Sequence, residues 1–180
     1  MTHVYTDGQD VVHVDVRQDI IKIIQGGPRG PGYAQVFKSK PLDGLMTTNP
    51  QADDPDLQWP VEANAVYVLD MHLILGVAAE NVDFECSVNV PVGTTGFWSS
   101  QGVTIGATSN TPTKMHGGTA FGASNNFGTD ETNASYVEVR AVVRVGATPG
   151  IVVLSWSQAT LQATPVTLKA DSYGILTKVA

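Results

Sequence analysis

The sequence predicts an all-β protein: an antiparallel, jelly-roll-like β-sandwich with an extended N-terminal β arm and a Gly-Pro linker. Several segments alternate apolar and polar residues with a period of two, which is the pattern of a half-buried antiparallel strand. Turn-forming Pro and Gly residues separate these segments, and no window shows the 3.6-residue period of an amphipathic helix. Short strands separated by turns are typical of a sandwich.

The chain divides into three parts. Residues 1–25 are predicted to form an N-terminal β anchoring arm, and residues 26–58 a Gly/Pro stub and connector. Residues 59–180 are predicted to form the β-sandwich head domain. A length of 180 residues fits one domain with a sizeable core plus an arm.

The arm carries a dense set of β-branched residues, which favours extended structure. Its apolar residues are Val12, Val14, Val16, Ile20, Ile21, Ile23 and Ile24. The three valines alternate with His13, Asp15 and Arg17, so one side of the predicted strand is apolar. One or two strands of this length are not stable alone in water. The arm must pair with its own domain, a sister chain or another protein's sheet edge, and we interpret it as an attachment element.

The linker contains two consecutive Gly-Pro-X triplets. Gly27 and Pro28 begin the first triplet, Gly30 and Pro31 begin the second, and a third would need glycine where the chain has Tyr33. Gly-X-Y repeats wind three chains together because only glycine fits at the axis of a triple helix. Two triplets cannot hold such a helix. The linker is therefore predicted to be a hinge between arm and head, where three chains could meet.

The connector is predicted to hold one strand, 34–38, followed by a stretch rich in Pro, Asn and Asp from 41 to 60. Asp53, Asp54 and Asp56 lie close together there. They lack the glycine and final glutamate spacing of an EF-hand calcium loop. This stretch is therefore expected to be a solvated acidic loop.

The head domain contains the clearest strand patterns, at 65–75, 82–90, 136–145, 151–159 and 166–179, the last bent at Gly174. Between them, residues 93–133 are rich in Gly, Thr, Ser and Asn and are expected to form loops and edge strands. Phe97, Trp98, Phe121 and Phe127 in this region are expected to pack in the core or line an interface. Cys86 falls on the apolar side of its strand, which indicates a buried structural thiol.

Composition excludes several classes of function. Charged residues make up only 15% of the chain, so part of the surface is expected to be covered by partner subunits. A net charge of −7 argues against nucleic-acid binding, and there is no Lys/Arg cluster for an anionic membrane. No apolar run approaches the roughly 20 residues that cross a bilayer, and no signal peptide is evident. A single cysteine excludes an internal disulfide framework, as expected for synthesis in a reducing cytosol.

The chain is poor in catalytic motifs. It has no H-E-x-x-H zinc motif, G-x-S-x-G elbow, phosphate-binding loop or dinucleotide fingerprint. His72 and Asp70 share a strand face, which favours a hydrogen-bonded surface or interface pair. Asp83 and Glu85 also share a face, and their alternation with apolar residues indicates a solvent-facing side. We therefore predict no catalytic, cofactor-binding or metal-binding residues and no cofactor.

Several segments together resemble a β-domain common in virion proteins of tailed phages infecting actinobacteria. The domain starts with a Trp followed by Ala-Asn-x-x-Tyr and a long apolar strand, as in segment 57–67, LQWPVEANAVY. Further matches are Asp83, Pro91-x-Gly93, the segment GIVVLSWSQA at 150–159 and the segment VTLKADSY at 166–173. The sequence departs from the pattern at Ser157, where Ala is usual, and at Asp171, where Gly is usual. The resemblance covers residues 59–180.

The resemblance implies a non-enzymatic structural protein on the virion surface, commonly trimeric, made in the host bacterial cytoplasm. The first expectation is a trimeric capsid decoration (minor capsid) protein, anchored by its arm to the major capsid protein on the capsid exterior. The alternative is a minor tail protein or short tail fibre whose β-sandwich binds a host-surface glycan. A glycan-active enzyme is a third reading, which would need a pair of carboxylates in a cleft.

Overall fold

The computed structural model describes residues 34–78, 82–106, 110 and 113–180, and these residues form strands, turns and loops without a helix. The predicted anchoring arm (1–25) and the Gly-Pro linker lie outside the described residues. Within the described part of the chain, no helix is long and apolar enough to cross a membrane.

Twelve strands are present in the described residues: β1 (Gln35–Ser39), β2 (Gly44–Met46), β3 (Ala52–Val61), β4 (Val66–Leu75), β5 (Phe84–Asn89), β6 (Thr95–Val103), β7 (Thr113–Thr119), β8 (Asn125–Phe127), β9 (Ser135–Arg144), β10 (Gly150–Gln158), β11 (Val166–Leu168) and β12 (Tyr173–Lys178). All of their pairings are antiparallel. The predicted strands at 65–75, 82–90, 136–145 and 151–159 correspond to β4, β5, β9 and β10.

The eight strands β3 to β10 form a jelly roll. They pair as a single folded ribbon, β3 with β10, β4 with β9, β5 with β8 and β6 with β7. Rolling this ribbon places β10 beside β5 and β9 beside β6. The result is two facing sheets of order β3-β10-β5-β8 and β4-β9-β6-β7, which is the jelly-roll arrangement. The predicted fold class is confirmed.

Four further strands widen one of the two sheets. β12 pairs with β4 at the free edge of the jelly roll, β1 pairs with β12, and β11 joins β2 to the end of β4. The larger sheet therefore has eight strands, with the path β1-β12-β4-β9-β6-β7. The first described residue, Ala34, directly precedes β1 at this widened edge of the sheet.

The core lies between the two sheets and is built by strict alternation. In β9, for example, the buried side chains are Val137, Val139, Ala141 and Val143, and each residue between them is exposed. The largest fully buried aromatic side chains are Trp59, Trp98, Phe84 and Phe127. Burying this apolar surface is the main stabilising term, at about 25 cal/mol per Å².

Three local expectations from the sequence are wrong. The stretch 41–60 holds β2 and most of β3, and Asp54 there is buried rather than solvated. In the stretch 93–133, β7 and β8 are edge strands as expected, but residues 95–103 form a nine-residue strand inside the large sheet. The C-terminal segment breaks at 169–172, where Asp171 adopts a φ of 67°, rather than at Gly174.

Gly174 lies inside β12, at the point where this strand passes over the indole ring of Trp59. A Cβ at this position would lie 2.6 Å from two carbon atoms of that ring. Glycine therefore serves close packing here and not a bend.

Candidate functional site: the outer face of the eight-stranded sheet

One broad surface of the sandwich carries an unusual set of side chains. We call it the outer face: the outward-pointing residues of β1, β12, β4, β9 and β6 in the eight-stranded sheet. Its position follows from alternation, because the inward-pointing neighbours of these residues fill the core. Strand register then determines which outward residues lie side by side.

An aromatic row crosses the outer face over four strands. The ring centroids of Phe37 and Tyr173 lie 5.6 Å apart, and those of Tyr173 and His72 also lie 5.6 Å apart. His72 in turn lies 5.0 Å from Tyr136. The interplanar angles are 24° and 29° for the two stacked pairs and 34° for the tilted pair of His72 and Tyr136. The pair of Phe37 and Tyr173 is of the kind that contributes about 0.5–1.5 kcal/mol beyond its area burial.

A group of charges lies beside this row. Asp70 and Arg140 are cross-strand partners, and their Oδ1 and Nε atoms are 3.4 Å apart. The Nη2 of Arg140 also lies 4.0 Å from Oε2 of Glu138. These residues, with His72 and Tyr173, line a shallow depression of about 110 Å³. All three charged side chains are more than half exposed, so their pairing adds little stability and leaves them available for a partner.

Apolar side chains complete the outer face. Phe37 is 55% exposed, Phe97 64%, Tyr136 50% and Val142 39%. An antiparallel sheet that faces water on one side normally alternates hydrophobic-in with polar-out. The outer face departs from that rule, and exposed apolar patches of this kind mark interaction surfaces.

The opposite side of the sandwich, on the four-stranded sheet, holds a buried polar network. The hydroxyl of Ser155 donates to Asp53 and accepts from Asn89 at 2.7 Å, and the hydroxyl of Ser87 donates to Gln51 at 2.6 Å. Both serines are buried, whereas Ile151 of the same sheet is 49% exposed. This side therefore lacks the row of rings that marks the outer face.

A buried charge cluster fixes the edge of the large sheet. Lys40, which follows β1, places its Nζ 2.8 Å from Asp54 and 3.1 Å from Asp56. Asp54 also accepts hydrogen bonds from the indole of Trp156 at 2.9 Å and from two backbone amides, at Asp56 and Leu57. The Lys40 and Asp54 side chains are 3% and 0% exposed. This cluster fastens the segment that leads into the head domain to β3 and β10.

His72 and Asp70 line the same depression but contact different neighbours, so the expected hydrogen-bonded pair does not form. His72 lies between the rings of Tyr136 and Tyr173, whereas Asp70 pairs with Arg140. Asp83 was expected to face solvent but is only 5% exposed, and its burial raises the pKa of its carboxyl group.

The other two residues considered in the sequence, Glu85 and Cys86, have structural roles. Glu85, predicted to share a face with Asp83, accepts a hydrogen bond from the Ser157 hydroxyl at 3.1 Å. Cys86 is fully buried, as predicted, and desolvation raises the pKa of its thiol. Among the described residues, no group of three or more His, Cys, Asp or Glu side chains could hold a metal ion.

The aromatic row could not be predicted from the sequence alone. Its members come from positions 37, 72, 136 and 173, and only the pairing of β1, β12, β4 and β9 brings them together. A local signal does exist, since Tyr136 and Tyr173 stand at outward positions of their strands where polar residues are usual.

Fold and surface together define a class: a jelly-roll β-sandwich with a widened sheet that presents an apolar, aromatic face. No protein-family model matches the chain, and no curated protein matches it. Two solved structures share similarity with it, one of infectious bursal disease virus Gx strain at 8% identity and one of the Gt strain at 6% identity. Both alignments have a TM-score of 0.25 and cover 97% of this chain, against 46% and 48% of the viral chains. The chain thus spans about half the length of these viral chains, and a likeness at this level carries no argument about function.

Proposed function

We propose that this protein is a non-enzymatic accessory structural protein of a phage virion, a trimeric decoration (minor capsid) protein held on the capsid exterior by residues 1–25. The observation that carries the proposal is the outer face, an exposed apolar and aromatic surface on a rigid sheet. Such a surface suits contact with other protein subunits better than small-molecule chemistry.

The fold agrees with this proposal. Jelly rolls build viral capsid domains and lectin domains, although a fold alone does not determine a function. The sequence resemblance over residues 59–180 to virion proteins of tailed phages selects the viral alternative. The low proportion of charged residues, 15%, is consistent with a surface that is partly covered in an assembly.

The point where the arm would join the head domain is consistent with this proposal. The arm and linker lead into β1, the outermost strand of the large sheet. The Lys40 cluster ties the end of this strand to the sandwich through Asp54. A load on the arm would therefore be transmitted to the whole head domain, as an anchored decoration protein requires.

Deleting residues 1–25 tests the proposed anchoring. We expect the truncated protein to keep its circular dichroism spectrum and to disappear from purified particles. A second variant replaces Val12, Val14 and Val16 with threonine, which keeps β propensity but removes the apolar side of the arm. We expect that variant to bind particles weakly. Normal occupancy of particles by the truncated protein would show that the arm is not the anchor.

A second candidate is a minor tail protein or short tail fibre whose sandwich binds a host-surface glycan. The depression beside the aromatic row favours it, because Tyr173 and His72 offer ring surface next to the hydrogen-bonding groups of Asp70 and Arg140. A glycan array probed with the wild-type protein and with Tyr173→Ala and Arg140→Gln tests this idea. Binding that both substitutions abolish would support it, and absence of binding to any glycan would contradict it.

A further inference from the structure

We infer that the outer face is a two-fold contact surface, which pairs with the same face of a second copy of this chain. The pairing would stack β4 of one copy on β9 of the other. This inference goes beyond the proposed function and does not rest on it, because it follows from strand register and charge alone.

The centre of the outer face is formed by β4 and β9, which are adjacent and antiparallel. Their outward residues lie side by side in pairs, Val68 with Val142, Asp70 with Arg140, His72 with Glu138 and Ile74 with Tyr136. Two apolar pairs therefore flank two polar pairs. Successive pairs are about 6.6 Å apart along the strands.

A two-fold axis parallel to the strands and midway between β4 and β9 matches these pairs to one another. It places β4 of one copy over β9 of the other while keeping each residue at its own level along the strands. Asp70 then faces Arg140 of the second copy, and Arg140 faces the second copy's Asp70. His72 likewise faces Glu138, and the apolar pairs face apolar pairs. The contact between Asp70 and Arg140 therefore forms twice, as an isologous interface requires. The end pair of the face, Val66 with Arg144, places Arg144 against the second copy's Val66.

A two-fold axis perpendicular to the strands, at the level of Asp70 and Arg140, fails on charge. It would place Asp70 opposite the second copy's Asp70 and Arg140 opposite Arg140, and like charges placed opposite each other in an interface are destabilising. A perpendicular axis midway between this level and that of His72 and Glu138 would instead place Arg140 opposite Glu138 and stack β4 on β4. A chain carrying both Asp70→Arg and Arg140→Asp distinguishes that arrangement from the proposed one. In the perpendicular arrangement its carboxylate at position 140 would lie opposite Glu138, and the variant would not associate.

The available area suits a specific contact. Four strands of the outer face overlap in this arrangement, β12, β4, β9 and β6, while β1 lies over β7 outside the face. At about 4.8 Å each they span about 19 Å, and the levels from Val66 to Ile74 span about 26 Å, which gives about 500 Å² per copy. Two copies would together bury about 1,000 Å² within the outer face, which is the lower limit for a specific interface. Two sheets can stack face to face at about 10 Å, as the two sheets inside a sandwich do.

Within the proposed trimer, this contact would join a protomer of one trimer to a protomer of the next. Two-fold contacts between trimers would connect decoration proteins into a continuous network over a shell. The trimer itself would form through other surfaces.

Charge reversal on the full-length protein tests the inference. Arg140→Asp creates an acidic centre, in which two carboxylates lie side by side, and Asp70→Arg creates a basic centre. Each single variant should lose self-association through the outer face, seen as at least a tenfold weaker association in analytical ultracentrifugation. An equimolar mixture of the two variants should associate again, because each acidic centre meets a basic one. The double variant, which carries both changes in one chain, should associate as the wild type does.

The mixing experiment separates a contact from a folding defect. A variant that is merely misfolded would not be rescued by a second variant, and circular dichroism checks the fold of each. Failure of the mixture to associate would overturn the inference. The inference would also be overturned if the wild-type protein did not self-associate at high concentration. It would equally be overturned if the single variants associated as the wild type does. None of these results depends on where the protein lies on a particle.

Discussion

The buried charge cluster around Lys40 predicts a large loss of stability when its cation is removed. In Lys40→Met the substituted side chain has a similar length and no charge. Asp54 then remains fully buried, with its negative charge no longer balanced by the ammonium group 2.8 Å away. Asp56 loses the same partner at 3.1 Å.

The size of the loss in unfolding free energy depends on the partners that Asp54 keeps in Lys40→Met. Removing one partner of a buried ion pair costs about 3–5 kcal/mol, because the other charge stays buried and uncompensated. Asp54 keeps hydrogen bonds from the Trp156 indole and from two backbone amides, which favours the lower end, about 3 kcal/mol. For a chain of this size that corresponds to a fall in Tm of about 6–12 °C.

Urea unfolding measures the effect as a lower midpoint with an unchanged slope. Lys178→Met is the matched control, since Lys178 also forms a 2.8 Å ion pair, with Glu62, but on the surface. The control should unfold close to the wild type. Adding Asp54→Asn to Lys40→Met should recover part of the loss by removing the unbalanced charge. If Lys40→Met were as stable as Lys178→Met, the cluster would not fasten the edge of the sheet.

Three further predictions concern packing and titration. Gly174→Ala should lower the free energy of unfolding by about 1–3 kcal/mol, because its Cβ would contact the Trp59 ring. Gly117→Ala is the control, since open space surrounds Gly117 and the stability of this variant should not change. Chemical denaturation compares the two variants, and equal stabilities would contradict the packing argument. Cys86 should react with a thiol reagent only after unfolding, since it is buried and its thiol pKa is raised; rapid reaction of the native protein would contradict this. Burial raises the pKa of Asp83, so its contribution favours folding at low pH and is lost as pH rises through that raised pKa. Asp83→Asn should therefore gain stability over the wild type at pH 7 and not at about pH 3, and an unchanged difference across pH would contradict the assignment.

The sequence predicted the fold class because the strands of the sandwich alternate cleanly. In β9 and β5 every second residue is apolar and buried, so period and burial agree. The sequence did not predict β6 as an internal strand, because its residues 95–103 include Gly96 and Gly102 and fall in a stretch that was predicted to form loops and edge strands. Gly102 is required there because a Cβ would lie 2.6 Å from the ring of Phe127. Close packing of this kind leaves no periodic signal in the sequence.

The candidate site was less predictable than the fold. Asp54 looked like part of a solvated acidic loop because its partner Lys40 lies fourteen positions away and Trp156 lies 102 positions away. His72 and Asp70 lie on an outward face as predicted, but they do not form the hydrogen-bonded pair that was expected. Their actual neighbours, Tyr136 and Arg140, come from a strand that is distant in sequence. Non-local register created the outer face, and local patterns do not encode it.

Electron cryomicroscopy of the intact virion would show where the protein lies and what covers it. We expect density for the jelly-roll head on the capsid exterior, with the outer face of the eight-stranded sheet covered by another protein subunit. Density confined to the tail, or a head domain whose outer face is exposed to solvent on every copy, would contradict it.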